Sequence, residues 1–153
     1  MKFLTTVVFL VLATFSSVSY AVPVGNANLQ TQEFVYDFAV NGGATGFKDL
    51  SSLGKRISAG AVIVDMYYRV DVAPTSGGSA TIALGDVNDN DRYKAATAYN
   101  DAAYALNFVA KAAQGVPANI TAADIGKMGI LIETATLTAG KIKFLVSFYQ
   151  PKR

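Results

Sequence analysis

Apolar and polar side chains alternate along three stretches of the chain, and this alternation predicts β-strands. The clearest stretch is 61–72, where an apolar face of Val62, Val64, Met66, Tyr68, Val70 and Val72 alternates with a mixed face of Ile63, Asp65, Tyr67, Arg69 and Asp71. Residues 33–40 and 141–149 show the same two-residue period. Because successive side chains of a strand point to opposite faces, each stretch is expected to place one face in a core.

Turn-forming residues separate shorter elements. Strands are predicted over 79–84, 92–98 and 129–134, with a hairpin turn at Gly77-Gly78, a turn at 138–140 and a connection over 47–58. Residues 101–113 are the one helical candidate, because Tyr104 and Phe108 are one helical turn apart; an irregular segment over one end of the domain is the alternative. The set predicts a mainly β protein, a single antiparallel β-sandwich of jelly-roll type with at most one short helix.

The first 21 residues have the composition of a secretory signal peptide. Lys2 is the only charged residue before Glu33, Phe3–Phe15 is almost wholly apolar, and Ser19 and Ala21 are the small residues that a signal peptidase needs. A retained membrane anchor is the alternative, but a spanning helix needs about 20 apolar residues. We therefore predict a signal peptide (1–21), a loose N-terminal arm (22–32) and a β-sandwich domain (33–153), secreted, periplasmic or on the cell surface, with no membrane span after cleavage.

Composition argues against most enzymatic chemistry. Histidine and cysteine are both absent, so the commonest general base, thiol nucleophiles and the usual zinc ligands are missing. The net charge is only +2, which gives no electrostatic case for binding nucleic acid. No nucleotide-binding or hydrolase motif is visible, so the chain is predicted not to be an enzyme.

One polar loop is a candidate calcium site. Five oxygen-bearing side chains fall within six residues: Asp86, Asn88, Asp89, Asn90 and Asp91. Calcium takes six to eight oxygen ligands, which such a loop could partly supply. The alternative is a plain turn, since Asp and Asn favour turns. No other cofactor is indicated.

Large apolar residues on predicted outer faces suggest a subunit interface. Ile63 and Tyr67 lie among charges on one strand, and Leu145 and Tyr149 interrupt the polar face of the last. Extended apolar patches are rare on monomers, so these four residues predict a homo-oligomer. Outward tyrosines can stack on sugars, so a carbohydrate-binding surface is left open by a tyrosine-rich set: Tyr67, Tyr68, Tyr93, Tyr99, Tyr104 and Tyr149.

Three segments in order resemble a group of small tailed-phage proteins. They are YDFAVNGGATG at 36–46, VAPTSGGSATIALG at 72–85 and TATLTAGKIKFLV at 134–146. The resemblance implies a compact β-sandwich used in a virion, of head-fibre or decoration type, often oligomeric and with three subunits favoured, and it implies no catalytic residues. A signal peptide departs from that pattern and suggests a bacterial protein of phage descent. The predicted function is an exported, non-enzymatic structural or adhesive subunit with a particle or surface-glycan partner; a calcium-dependent or carbohydrate-binding module is the alternative.

Overall fold

Two antiparallel sheets make up the fold. The computed structural model describes residues 28–51, 57–112, 118–119 and 127–150. In chain order the elements are β1 (Asn28–Asp37), the one-turn helix α1 (Phe38–Asn41), β2 (Gly46–Asp49), β3 (Val62–Ser76), β4 (Thr81–Asp86), β5 (Lys94–Ala98), a 3₁₀ turn (Ala102–Tyr104), β6 (Val109–Lys111), β7 (Ala118–Asn119), β8 (Met128–Glu133) and β9 (Leu137–Gln150). The predicted signal peptide, 1–21, lies outside the described residues. No helix in the described part of the chain is long and apolar enough to cross a membrane.

The strand order is that of a jelly roll. The long sheet has the order β1-β9-β3-β6, with β7 also pairing with β3, and the short sheet has the order β2-β8-β4-β5. Along the chain, β1, β2, β3 and β4 pair in turn with β9, β8, β6 and β5. One long antiparallel hairpin has thus been rolled into two facing sheets, which confirms the predicted β-sandwich.

The core lies between the facing surfaces of the two sheets. Buried side chains alternate along β3, β8 and β9, as the two-residue period predicts, and include Tyr68, Val70, Ile130, Ile132, Ile142, Phe144 and Val146. Two buried tyrosines satisfy their hydroxyl groups locally: Tyr36 donates to the Gly42 carbonyl at 3.1 Å, and Tyr104 to the Ile82 carbonyl at 2.8 Å. Burial raises the pKa of Tyr36 to about 12, because the charged phenolate would lose its solvation.

A bulge near the start of β3 overturns one predicted face. Ile63 pairs with Phe148 and Asp65 with Ser147, so β3 advances two residues where β9 advances one. The extra residue exchanges the faces, as β-bulges do. Ile63 therefore points into the core and is fully buried, and its predicted position on the outer face is wrong.

Some predicted turns connect sheets instead of closing hairpins. Gly77-Gly78 joins β3 of the long sheet to β4 of the short sheet, so the predicted hairpin is wrong. The predicted turn at 138–140 lies inside β9, and the connection from β8 runs through Thr134, whose φ is 68°. Gly140 suits this position because its φ is 140°, a conformation that L side chains rarely adopt, and an added Cβ would lie 3.2 Å from Pro74 Cα.

The helix predicted over 101–113 is replaced by a 3₁₀ turn and a short strand. Tyr104 is buried and Phe108 is partly buried, each with its ring about 6 Å from that of Tyr68. The chain reaches Phe108 through a left-handed Asn107, with φ of 63°, after which β6 pairs with β3. At the other end of the chain, residues 28–32 of the predicted loose arm belong to β1, which then ends in the unpredicted α1.

Candidate functional site

The outer face of the long sheet carries a group of exposed apolar side chains. Tyr67 of β3 and Leu145 of β9 are direct cross-strand partners, 43% and 46% exposed. Tyr149, 40% exposed, lies two residues beyond Ser147 on the same face of β9 and pairs with Leu29 of β1. We call Leu29, Tyr67, Val109, Leu145 and Tyr149 the outer patch. It unites three of the four predicted interface residues and excludes Ile63.

Two members of the outer patch, Leu29 and Val109, could not be predicted from the sequence. Leu29 is 57% exposed and Val109 is 59% exposed. The sequence pattern predicts a loose arm around Leu29 and a helix around Val109, so it assigns neither residue to a sheet face. A two-residue period does run through Leu29, Thr31 and Glu33, but its apolar signal is too weak to separate a strand from a polar arm.

An open cleft runs beside the Tyr67–Leu145 pair. Its volume is about 300 Å³, and its lining combines apolar side chains with three charged ones: Tyr67, Tyr68, Val109, Phe144, Leu145, Glu33, Arg69 and Lys143. A cleft with an apolar floor and charged margins suits a protruding side chain of another subunit, because interface cores are apolar and their rims polar.

Charged side chains on the same face of the long sheet form ion pairs with one another. Arg69 Nε lies 2.7 Å from Asp71 Oδ1, Lys143 Nζ lies 3.1 Å from Asp71 Oδ2, and Lys141 Nζ lies 2.9 Å from Asp37 Oδ2. The hydrogen bond from Arg69 lowers the pKa of Asp71, and that from Lys141 lowers the pKa of Asp37. Three cations thus contact two carboxylates, and Glu33, which also interacts with Arg69, balances the third, so the outer patch is bordered by charges without a strong field of either sign.

The candidate calcium loop is organised around a buried carboxylate. Asp86 is fully buried, and its Oδ1 accepts the backbone N–H groups of Asn88 and Asp89, each at 3.0 Å. Its Oδ2 accepts the Tyr93 hydroxyl at 3.3 Å and lies 3.0 Å from Arg92 Nε. Protein donors therefore already occupy both oxygens of Asp86, and Arg92 supplies the positive charge.

The acidic residues among the other predicted ligands do not form a group of three carboxylates with Asp86. The Asp89 carboxylate is 48% exposed and lies 3.7 Å from Arg92 Nε, and Asp91 is exposed. Asn90 Oδ1 is buried without a hydrogen-bond partner in the described part of the chain. Among the described residues, no three acidic side chains are grouped closely enough to hold a metal ion. Calcium binding stays a prediction.

Comparison with solved structures identifies proteins with the same architecture. A chain in the capsid asymmetric unit of cyanophage Pam1 superposes with a TM-score of 0.62 at 20% identity, over 92% of this chain and 100% of that one. A chain in the acid-stable capsid of Helicobacter pylori bacteriophage KHP30 gives a TM-score of 0.56 at 13% identity, over 81% of this chain and 89% of that one. This fold occurs in two phage capsids. No protein-family model and no curated protein matches the sequence.

The extent of the match indicates the size of the capsid chains. This chain covers all of the cyanophage chain and nearly all of the H. pylori phage chain. Each capsid chain is thus a single unit of about this length, and not a large protein that contains this fold as one part. The tailed-phage resemblance of the sequence and the structural similarity agree on the fold.

Proposed function

We propose that this protein is a non-enzymatic structural subunit of a phage-type particle, of decoration type, that works as a homo-oligomer. The observation that carries the proposal is the whole-length similarity to small chains of two phage capsids. The outer patch supports it, because a monomer would leave Leu29, Tyr67, Val109, Leu145 and Tyr149 partly in water.

The outer patch supplies the contact between subunits. Tyr67 and Leu145 stand side by side, and the cleft beside them offers room for a side chain of the neighbouring copy. Tyrosine is enriched among the residues that dominate interface energies, since its ring buries a large area and its hydroxyl tolerates water. Closed cyclic symmetry buries such a patch on every copy, and we propose three subunits.

Replacing Tyr67 with lysine tests this assembly. Burying an unpaired ammonium group in the interface is expected to weaken association by at least tenfold, about 1.4 kcal/mol or more. Light scattering at tens of micromolar should show an oligomer for the native domain and smaller species for Tyr67→Lys, with unchanged circular dichroism. The matched control is Val40→Lys, which changes an 80% exposed valine on α1, outside the patch. A native domain that is monomeric, or Tyr67→Lys that assembles like native, contradicts the proposal.

We further propose that export precedes assembly, through cleavage after Ala21. The composition of residues 1–21, with Lys2 as the only charge before Glu33, supports this step. The intact mass of the protein recovered from its native source tests the cleavage. A chain that begins at Val22 supports export, whereas a chain that retains residues 1–21 contradicts it and favours assembly inside the cell.

A further inference from the structure

The long sheet has one long, regular edge, formed by β1. All ten residues of β1 pair with β9 without a register shift, and β1 is the end strand of its sheet. It contains neither proline nor lysine, the residues that most often protect such edges. The other edge strands in the described part of the chain are short: β2 has four residues, β5 has five, β6 has three and β7 has two.

The hydrogen bonds of β3 show which backbone groups of β1 point outward. Val70 N–H donates to the Phe108 carbonyl at 2.9 Å, and the Val70 carbonyl accepts Asn107 N–H at 2.8 Å. The Met66 carbonyl accepts Ala112 N–H at 2.9 Å. Even-numbered residues of β3 in this stretch therefore bond toward β6, and odd-numbered ones bond toward β9, because the direction alternates along an antiparallel strand.

The register carries this alternation across β9 to β1. Tyr67 faces Leu145, so odd-numbered residues of β9 bond to β3 and even-numbered ones bond to β1. Odd-numbered residues of β1 must then point away from the sheet. Asp37 confirms the direction, since its N–H donates instead to Asn41 Oδ1 at 2.8 Å. Four residues are left with outward N–H and C=O groups that have no bonding partner in the described part of the chain: Leu29, Thr31, Glu33 and Val35.

We propose that this edge is a strand-pairing site whose occupant is β1 of a second copy, antiparallel about a two-fold axis through Gln32. In this register Leu29 lies opposite Val35 and Thr31 opposite Glu33, so all four free residues on each copy pair, with about eight main-chain hydrogen bonds. A register centred on Glu33 would place two carboxylates opposite each other, and one centred on Thr31 would leave Val35 unpaired.

The second copy fits because pairing needs another long and unprotected edge. Among the strands that the structure describes, β1 alone offers one. Its outward residues are self-complementary: the apolar pair Leu29–Val35 and the polar pair Thr31–Glu33 each occur twice across the axis. The site shares Leu29 with the outer patch but uses its main-chain groups, so the pairing would link two copies whether or not Tyr67 and Leu145 join others.

Single cysteines test the pairing in a chain that has no cysteine of its own. In the full chain, Gln32→Cys places two sulfhydryl groups across the axis in a non-hydrogen-bonded pair, where Cα atoms are about 4.5 Å apart and a disulfide can form. The matched control is Gln30→Cys, whose Cα atoms would lie about 13 Å apart, beyond disulfide reach. Under mild oxidation we expect most of the Gln32→Cys chains, and few of the Gln30→Cys chains, to run as covalent dimers.

A proline on the free edge of β1 provides a second test of the pairing. Thr31→Pro removes an outward N–H that makes no bond within the sheet, so the fold is expected to persist while pairing is blocked. Adding Thr31→Pro to Gln32→Cys should reduce the dimer at least tenfold with circular dichroism unchanged. Adding Tyr67→Lys should leave the dimer intact, which separates this site from the outer patch. Equal cross-linking of Gln32→Cys and Gln30→Cys, preferred cross-linking through Thr31→Cys or Glu33→Cys, or a dimer insensitive to Thr31→Pro would overturn the proposal.

Discussion

Asp86 stabilises its loop from inside the protein, where its carboxylate accepts hydrogen bonds from the backbone of the loop and from Tyr93. Replacing it with alanine leaves the N–H groups of Asn88 and Asp89 without their acceptor and Arg92 without its closest counter-charge. We expect Asp86→Ala to lower the free energy of unfolding by about 3 kcal/mol, because the hydrogen-bond donors and the guanidinium group that contact Asp86 would be left without their acceptor. Urea denaturation measures this loss.

Asp91 is the matched control for Asp86, because it belongs to the same acidic run and is exposed. Asp91→Ala should change the free energy of unfolding by less than about 0.5 kcal/mol. Equal effects of the two substitutions would show that the loop does not depend on the buried carboxylate. The sequence could not separate these residues, because its pattern treats every Asp of the run alike and burial alone distinguishes Asp86.

The predicted interface residues show the same limit at the scale of single side chains. The exposed positions of Tyr67 and Leu145 could be predicted, because these residues lie where the two-residue period is unbroken on both strands. Ile63 could not, because the bulge between it and Asp65 depends on pairing with a strand more than 80 residues away in the chain. Local sequence contains no signal for that pairing.

The connection between α1 and β2 depends on a close backbone contact. A Cβ added to Gly43 would lie 2.0 Å from the Leu137 carbonyl oxygen and 2.8 Å from Phe38 Cε2. The Gly43 carbonyl also accepts Leu137 N–H at 2.9 Å, which ties this connection to the start of β9. We expect Gly43→Ala to lower the free energy of unfolding by about 2 kcal/mol, because backbone must move to admit the methyl group.

Gly77→Ala is the control for this element-scale prediction. Nothing lies within 4 Å of a Cβ added at Gly77, and its φ does not require glycine. Its substitution should leave stability unchanged or raise it by about 0.5 kcal/mol, by restricting the unfolded chain. Thermal unfolding of both variants decides the matter: a Gly43→Ala protein as stable as Gly77→Ala would refute the close contact.

Long elements could be predicted from sequence, and short ones could not. The strands β3 and β9 each repeat the two-residue period many times, so the sequence pattern predicts both of them. The strands β2, β6 and β7 have four residues or fewer, so no period can be recognised in them. The helix predicted over 101–113 is wrong. A 3₁₀ turn followed by the left-handed Asn107 places the rings of Tyr104 and Phe108 near Tyr68, so the spacing of these two residues does not require a helix.

At the scale of the whole molecule, the class of fold followed from the number and spacing of strands. What sequence could not supply was the assignment of strands to sheets. Gly-rich connections predict a reversal of direction equally well whether the chain returns beside itself or crosses to the facing sheet. The outer patch and the free edge of β1 both arise from that assignment, which places β1 beside β9 at the end of the long sheet.

The pairing of β1 with β9 also determines when the long sheet can be completed during synthesis. As the domain is synthesised, β1 emerges first and its partner last, so β1 cannot join β3 and β6 in the long sheet until every other strand has been made. Until then β1 is unpaired on both sides, and contacts so distant along the chain form slowly. We therefore expect the domain to fold slowly for its size, since the pairing that completes the long sheet joins the two ends of the chain.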